Sequence, residues 1–136
     1  MMTLTQAETA IHQELVRIAK LEDLTIEMPN KPPINGKPFG PPKNKAWSKV
    51  FIKYADSQIV GIGDKPCIRD QGIISIQCFA PVGSGLIMLS ELCDTWRKYL
   101  QSFGASHLEV YKVHAPQSMD EKNFYAKIVR AEFRIN

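Results

Sequence analysis

Two segments of the chain repeat apolar residues at the spacing of an amphipathic α-helix. The apolar stripe of the first segment consists of Ala7, Ile11, Leu15 and Ile18. The apolar stripe of the second consists of Leu89, Leu92, Cys93, Trp96, Leu100 and Phe103. The pattern therefore predicts two helices, each with one face turned toward a hydrophobic core.

The residues that flank these stripes predict where the helices begin and end. Thr5 and Glu8 have the spacing of a capping box, so Thr5 is the expected N-cap of the first helix. Ser84 is the expected N-cap of the second, because its hydroxyl can accept a hydrogen bond from a backbone amide. Gly104 suits the left-handed position that often ends a helix.

Other segments alternate apolar and polar residues, which is the pattern of β-strands. Residues 24–28 form a short extended piece, and a strand is predicted from Trp47 to Tyr54. Residues 55–57 indicate a tight turn into residues 58–62, which predicts a hairpin, and residues 63–70 are expected to form a loop. Further strands are predicted at residues 107–113 and 124–135, with a polar loop at 115–122 between them.

The clearest strand pattern runs from Gly72 to Ala80. One face is apolar and consists of Ile74, Ile76, Cys78 and Ala80. The other face is only half polar and consists of Ile73, Ser75, Gln77 and Phe79. Because a half-apolar face is costly to leave in water, we expect something to cover part of it.

The predicted element order is α-β-β-β-β-α-β-β, which favours an α+β fold. We expect a mostly antiparallel sheet with both helices packed on one face. The length of 136 residues indicates one domain, residues 1–136, large enough for a core without metal or disulfide support.

Residues 29–45 contain six of the nine prolines of the chain. Proline removes backbone hydrogen-bond donors, so neither a helix nor an interior strand is expected there. The segment is predicted to be a long exposed loop or arm that serves assembly more than folding.

The composition narrows the classes of function. The net charge is +3, and its cations are spread along the chain, whereas a dedicated duplex binder concentrates them on one face. The odd cysteine count of three indicates reduced thiols and synthesis in the cytoplasm. No apolar stretch approaches the ~20 residues that span a bilayer, so no membrane partner is expected.

The residues that carry chemistry do not form a recognisable catalytic, cofactor or metal motif. Cys78 and Cys93 lie on apolar faces, and only Cys67 is in a predicted loop. His107 and His114 are seven residues apart on one predicted strand and therefore point to opposite faces. The glycines at the start of the second helix lack the lysine of a phosphate-binding loop. The sequence thus predicts no enzyme, no cofactor and no metal site.

The strand predicted from Trp47 to Tyr54 carries an unusual face of aromatic and cationic residues, Trp47, Lys49, Phe51 and Lys53. Such a face can stack single-stranded nucleic acid. It can equally be the outer side of an amphipathic strand that meets another subunit or solvent. Both interpretations remain open at this point.

The run from Gly63 to Gly85 resembles the core signature of phage tail terminator-like proteins. In that family an arginine and a glycine precede an alternating strand that ends in Phe-x-Pro, and Gly-x-Gly then opens a helix. The matching residues here are Arg69, Gly72, Phe79, Pro81, Gly83 and Gly85. The chain departs from the family pattern in its longer proline-rich arm and in having fewer arginines around Arg69.

The resemblance implies a structural virion protein, made in the host cytoplasm, that forms a ring, typically a hexamer. Such a ring caps the head-proximal end of the tail tube, stops its elongation and meets the head-tail connector proteins. DNA passes through the lumen without sequence-specific binding. The candidate interface residues are Trp47, Lys49, Phe51, Lys53 and Arg69. The alternatives are a head completion or connector adaptor protein and a small nucleic-acid-binding domain.

Overall fold

The computed structural model describes residues 3–28, 45–55, 58–60, 67–83, 85–105, 107–119 and 124–135. The predicted proline-rich arm lies outside these ranges, apart from Lys45. In the described residues the chain forms two helices and eight strands. Their bounds are α1 (Leu4–Leu21), β1 (Ile26–Glu27), β2 (Trp47–Tyr54), β3 (Gln58–Val60), β4 (Cys67–Pro81), α2 (Ile87–Gln101), β5 (Gly104–Ala105), β6 (Leu108–Val113), β7 (Gln117–Met119) and β8 (Phe124–Ile135).

The α+β fold predicted from the sequence is confirmed. The strands form one mostly antiparallel sheet in the order β1-β2-β4-β8-β6-β5, in which only β1 and β2, among the described strands, pair in parallel. Two short strands extend the predicted order: β5 pairs with β6, and β7, inside the predicted 115–122 loop, pairs with β8. The centre of the sheet is the long antiparallel pair of β4 and β8.

The predicted hairpin at residues 55–57 is wrong. Both β2 and β3 pair with β4, so the chain reverses between β3 and β4 and not between β2 and β3. The register aligns Val50 with Ile76 and Ile52 with Ile74, which places four apolar side chains on the same buried face. The predicted loop at 63–70 is correspondingly shorter, because β4 already begins at Cys67.

Both helices pack on one face of the sheet and close a single large core with it. Trp96 of α2 is fully buried there, and its Nε1 donates a hydrogen bond to the buried hydroxyl of Ser48 over 3.0 Å. The predicted helical stripes are confirmed except at Phe103, which lies after the end of α2 at Gln101 and is half-buried. The buried helical residues are Ala7, Ile11, Leu15, Ile18, Ala19, Leu89, Leu92, Cys93, Trp96 and Leu100.

The helix ends differ from the predictions. The N-cap of α1 is Thr3, whose hydroxyl accepts from the amide of Gln6 over 3.1 Å, while the Gln6 side chain accepts from the Thr3 amide over 2.8 Å. Glutamine completes a capping box as glutamate does, so the helix starts two residues earlier than at Thr5. The N-cap position of α2 is occupied by Leu86, without a side-chain cap. Gly104 belongs to β5 and does not have the left-handed backbone of a helix cap.

Candidate functional site

Two cysteines and one histidine of the described residues are engaged in the fold. No group of three or more His, Cys, Asp or Glu side chains among these residues could hold a metal ion. Cys78 and Cys93 are buried in the core, and a hydrogen bond with Cys93, together with burial, raises the pKa of the Cys78 thiol. His114 Nε2 lies 2.9 Å from a carboxylate oxygen of Glu132. A thiol with a raised pKa is a poor nucleophile, because the thiolate is the reactive form.

Because both side chains are buried, we expect Cys78 and Cys93 to resist thiol reagents in the folded protein. The Cys67→Ser variant isolates these two cysteines. A disulfide reagent that reports released chromophore should react slowly with the native variant and with both thiols at once when denaturant is present. Fast labelling without denaturant would mean that the helix-sheet core opens readily.

The face of the sheet opposite the helices is the first candidate surface. We define the open face as the outward side chains of β2, β4 and β8, which are Lys49, Phe51, Lys53, Ile73, Ser75, Gln77, Ile128, Arg130 and Glu132. In the described part of the chain neither helix packs on it. The open face and the residues of β7 line a hollow of about 690 Å³.

One end of this face is closed by an aromatic pair. The rings of Trp47 and Phe79 stack with their centroids 4.3 Å apart, and Ala126 and Met119 pack against them. Trp47 is only 6% exposed. Of the predicted interface residues, Trp47 is therefore packed inside the subunit, whereas Phe51 lies on the wall of the hollow.

The cations of the open face differ in their surroundings. Lys49 lies 4.0 Å from Glu27 and 5.3 Å from the ring centre of Phe51. Lys53 and Arg130 are both exposed and line the hollow from opposite sides, on β2 and β8. Arg69 belongs to β4 and pairs through its backbone with Gln58; its side chain lies outside the described residues. The structure thus brings together Phe51 and Lys53 with a cation, Arg130, that the sequence pattern did not single out.

The connection from β4 to α2 is the second candidate surface, and we call residues 81–83 and 85–88 the corner. Four of its side chains are exposed apolar groups: Val82 at 72%, Leu86 at 61%, Ile87 at 68% and Met88 at 38%. Beside them, an apolar groove of about 380 Å³ runs along Tyr125. Single exposed apolar residues are common, but a group of four is typical of a contact surface.

Glycine shapes this corner. Gly83 and Gly85 have φ angles of +87° and +86°, a left-handed backbone that side chains disfavour, although no atom lies within 4 Å of the position of an added Cβ. Both belong to the resemblance signature. The signature residues thus build the two surfaces: Phe79 closes the open face, and Pro81, Gly83 and Gly85 turn the chain through the corner.

We predict that Gly83→Ala and Gly85→Ala each lower the free energy of unfolding by about 1–2 kcal/mol through backbone strain alone. Asparagine tolerates the left-handed region better, so Gly83→Asn should cost less than Gly83→Ala. Urea denaturation of the three variants measures these differences. Equal losses for alanine and asparagine would mean that space, and not the backbone angle, decides the residue.

The sequence pattern did not identify the corner as a surface. The sequence does contain an indication of this surface. Leu86, Ile87 and Met88 are apolar but lie outside the buried stripe that begins at Leu89. Neither helix of the described residues is long and apolar enough to cross a membrane.

Comparison with known proteins supports the fold and gives no function. No family model matches the chain, and no curated protein matches it. One solved structure is similar to it over 100% of this chain and 97% of that chain, with a TM-score of 0.72 and 14% sequence identity. The name of that protein is a sequence identifier that states no function. At this identity the likeness shows a common fold that extends over the whole chain.

Proposed function

We propose that this chain is a structural virion protein that forms a ring on the head-proximal end of a phage tail tube. The ring stops tube elongation and joins the tail to the head-tail connector proteins. The observation that carries the proposal is the open face, a concave and half-apolar sheet surface that neither described helix covers. The resemblance of residues 63–85 to tail terminator-like proteins supplies the identity of the assembly.

The proposed mechanism is surface complementarity without chemistry. A subunit contact needs to bury roughly 1,000 Å² or more to be specific. A contact between two different surfaces of the same chain generates either a closed ring or an open filament. A closed ring on the tube end occupies the growing surface, and the next ring of tube protein then finds no matching surface. DNA passes through the lumen of the ring without sequence-specific binding.

Assembly of tail tubes in the presence of the protein tests this function. We expect shorter tubes that carry one ring at one end, saturation at one ring per tube and no requirement for ATP. Capping should change little between low and moderate salt, because the net charge of the chain is only +3. Tubes of unchanged length, with the protein on their sides or absent, would refute capping and favour the connector adaptor.

A second candidate is favoured by one specific observation. Phe51 lines the hollow together with the exposed cations Lys53 and Arg130, and an aromatic ring beside cations on a sheet suits a single-stranded nucleic acid. Fluorescence anisotropy with single-stranded DNA over a salt series distinguishes the two functions. An affinity that falls steeply with salt and is lost in Lys53→Glu with Arg130→Glu supports this candidate. Weak binding that these changes leave unaltered supports the assembly function.

A further inference from the structure

We propose that the corner of one copy inserts into the hollow of the open face of a second copy, so that the subunits join head to tail. This contact rests on the proposed function and specifies how its ring is built. Each copy carries one corner and one hollow, and every copy can therefore bind two neighbours through two different surfaces.

The corner has the form of an inserting element. Four of the nine exposed large apolar side chains among the described residues lie within its short span, and the other five are distributed over α1, β2 and β6. Ile87 and Met88 belong to the first turn of α2, which fixes their backbone. These two side chains therefore lose less conformational freedom on binding, which favours affinity.

The hollow has the form of a receiving site. Its volume of about 690 Å³ falls in the ~300–1,000 Å³ range of pockets that enclose small ligands, so it has room for more than one aliphatic side chain. Its apolar walls come from Phe51, Ile73, Met119 and Ile128. Phe51, Ile73 and Met119 are half-buried and offer apolar surface to the side chains that the corner exposes, whereas Ile128 is buried.

The charges beside the two surfaces are opposite. Glu91 and Asp94 are the only charged residues between Pro81 and Thr95, and both are exposed on α2. They follow Ile87 by four and seven residues, which places them on the same side of the helix. Lys53 and Arg130 line the hollow and are positive, whereas the neighbouring carboxylate of Glu132 is outside the lining and lies 2.9 Å from His114 Nε2. The corner and the hollow therefore attract each other.

The same charges disfavour the symmetric alternatives. In a corner-to-corner contact, Glu91 and Asp94 of one copy would face the same acidic residues of the other copy. Two copies that met hollow to hollow would bring Lys53 against Arg130. Like charges placed together suppress a wrong pairing. The favoured contact is therefore between different surfaces, the kind that closes rings.

Charge-reversed variants test the contact. The corner variant carries Glu91→Lys with Asp94→Lys, and the hollow variant carries Lys53→Glu with Arg130→Glu. All four side chains are exposed, so both variants should fold, which circular dichroism and thermal melting verify. A control with Arg17→Glu and Lys20→Glu makes the same change in net charge as the hollow variant, on exposed positions of α1.

Sedimentation velocity over a concentration series gives the result. The protein concentration needed for assembly should be at least about tenfold higher for each variant alone than for the parent. The control should assemble at the same concentration as the parent. An equimolar mixture of the two variants should assemble again, because each positive corner then meets a negative hollow. Rescue by mixing is not expected from damage to the fold.

Three outcomes would overturn the contact: variants that assemble like the parent, a mixture that does not recover, or a parent that stays monomeric at the highest concentration. Assembly of the variants together with normal tube capping would place the subunit contact elsewhere and leave the proposed function standing. Loss of capping by a parent that still assembles would overturn the proposed function and leave the contact. Binding of the tube protein to the parent hollow without self-association would identify the tube as its occupant.

Discussion

Replacing Trp96 with alanine is expected to lower the free energy of unfolding by about 3–5 kcal/mol. Trp96 is fully buried between α2 and the sheet, so the substitution leaves a cavity that a rigid strand pair cannot fill. A small domain is held together by only ~5–15 kcal/mol, and the variant should be partly unfolded at elevated temperature. Urea denaturation measures the loss; stability close to the parent would show that this stripe of α2 does not pack on the sheet.

The hydrogen bond of Trp96 can be separated from its volume. Trp96→Phe keeps an aromatic ring but leaves the buried hydroxyl of Ser48 without its donor, which typically costs ~1–3 kcal/mol. Adding Ser48→Ala removes the acceptor as well and should recover part of that loss. A double variant that is as unstable as the sum of the single ones would mean that the bond contributes no coupling.

Gly72→Ala is expected to be the second most damaging change. A Cβ at this position would lie 2.5 Å from the ring of Phe133 and 2.6 Å from the backbone oxygen of Lys53. The ring can move, but the oxygen belongs to the neighbouring strand of the sheet. Overpacking of this kind costs about 1–3 kcal/mol or more.

Gly104→Ala is the matched control, because it places the same methyl group on another strand. The nearest atom there is a backbone oxygen at 3.7 Å, an ordinary contact. Alanine is also favoured over glycine within a strand, so stability should stay equal or rise by about 0.5–1 kcal/mol. Similar losses for both variants in thermal denaturation would contradict a steric role for Gly72.

Local periodicity predicted the elements of this fold better than their partners. The 3.6-residue repeat identified the buried face of both helices, and alternation identified the buried face of β4. Neither pattern says which strand lies beside which. The hairpin at residues 55–57 was wrong because β2 completes its apolar face beside Ile74 and Ile76 of β4, a pairing between distant residues.

The candidate site could be predicted in part, for the same reason. Alternation within one strand predicted that Phe51 and Lys53 share a face. Arg130 joins that face because β4 pairs with β2 on one side and with β8 on the other. The burial of Trp47 depends on Met119 of β7, a strand inside a segment that is polar enough to suggest a loop. The helical repeat did not identify the corner, because the exposed apolar residues Leu86, Ile87 and Met88 lie directly before the periodic stripe.

Negative-stain electron microscopy of the concentrated protein tests the central claim, that this chain acts by closed self-assembly, most directly. Particles should be rings of uniform diameter with a fixed number of subunits and a central opening wide enough for duplex DNA. Native mass spectrometry of the same sample should give a single multiple of the subunit mass. Monomers alone, or open filaments of variable length, would contradict the account.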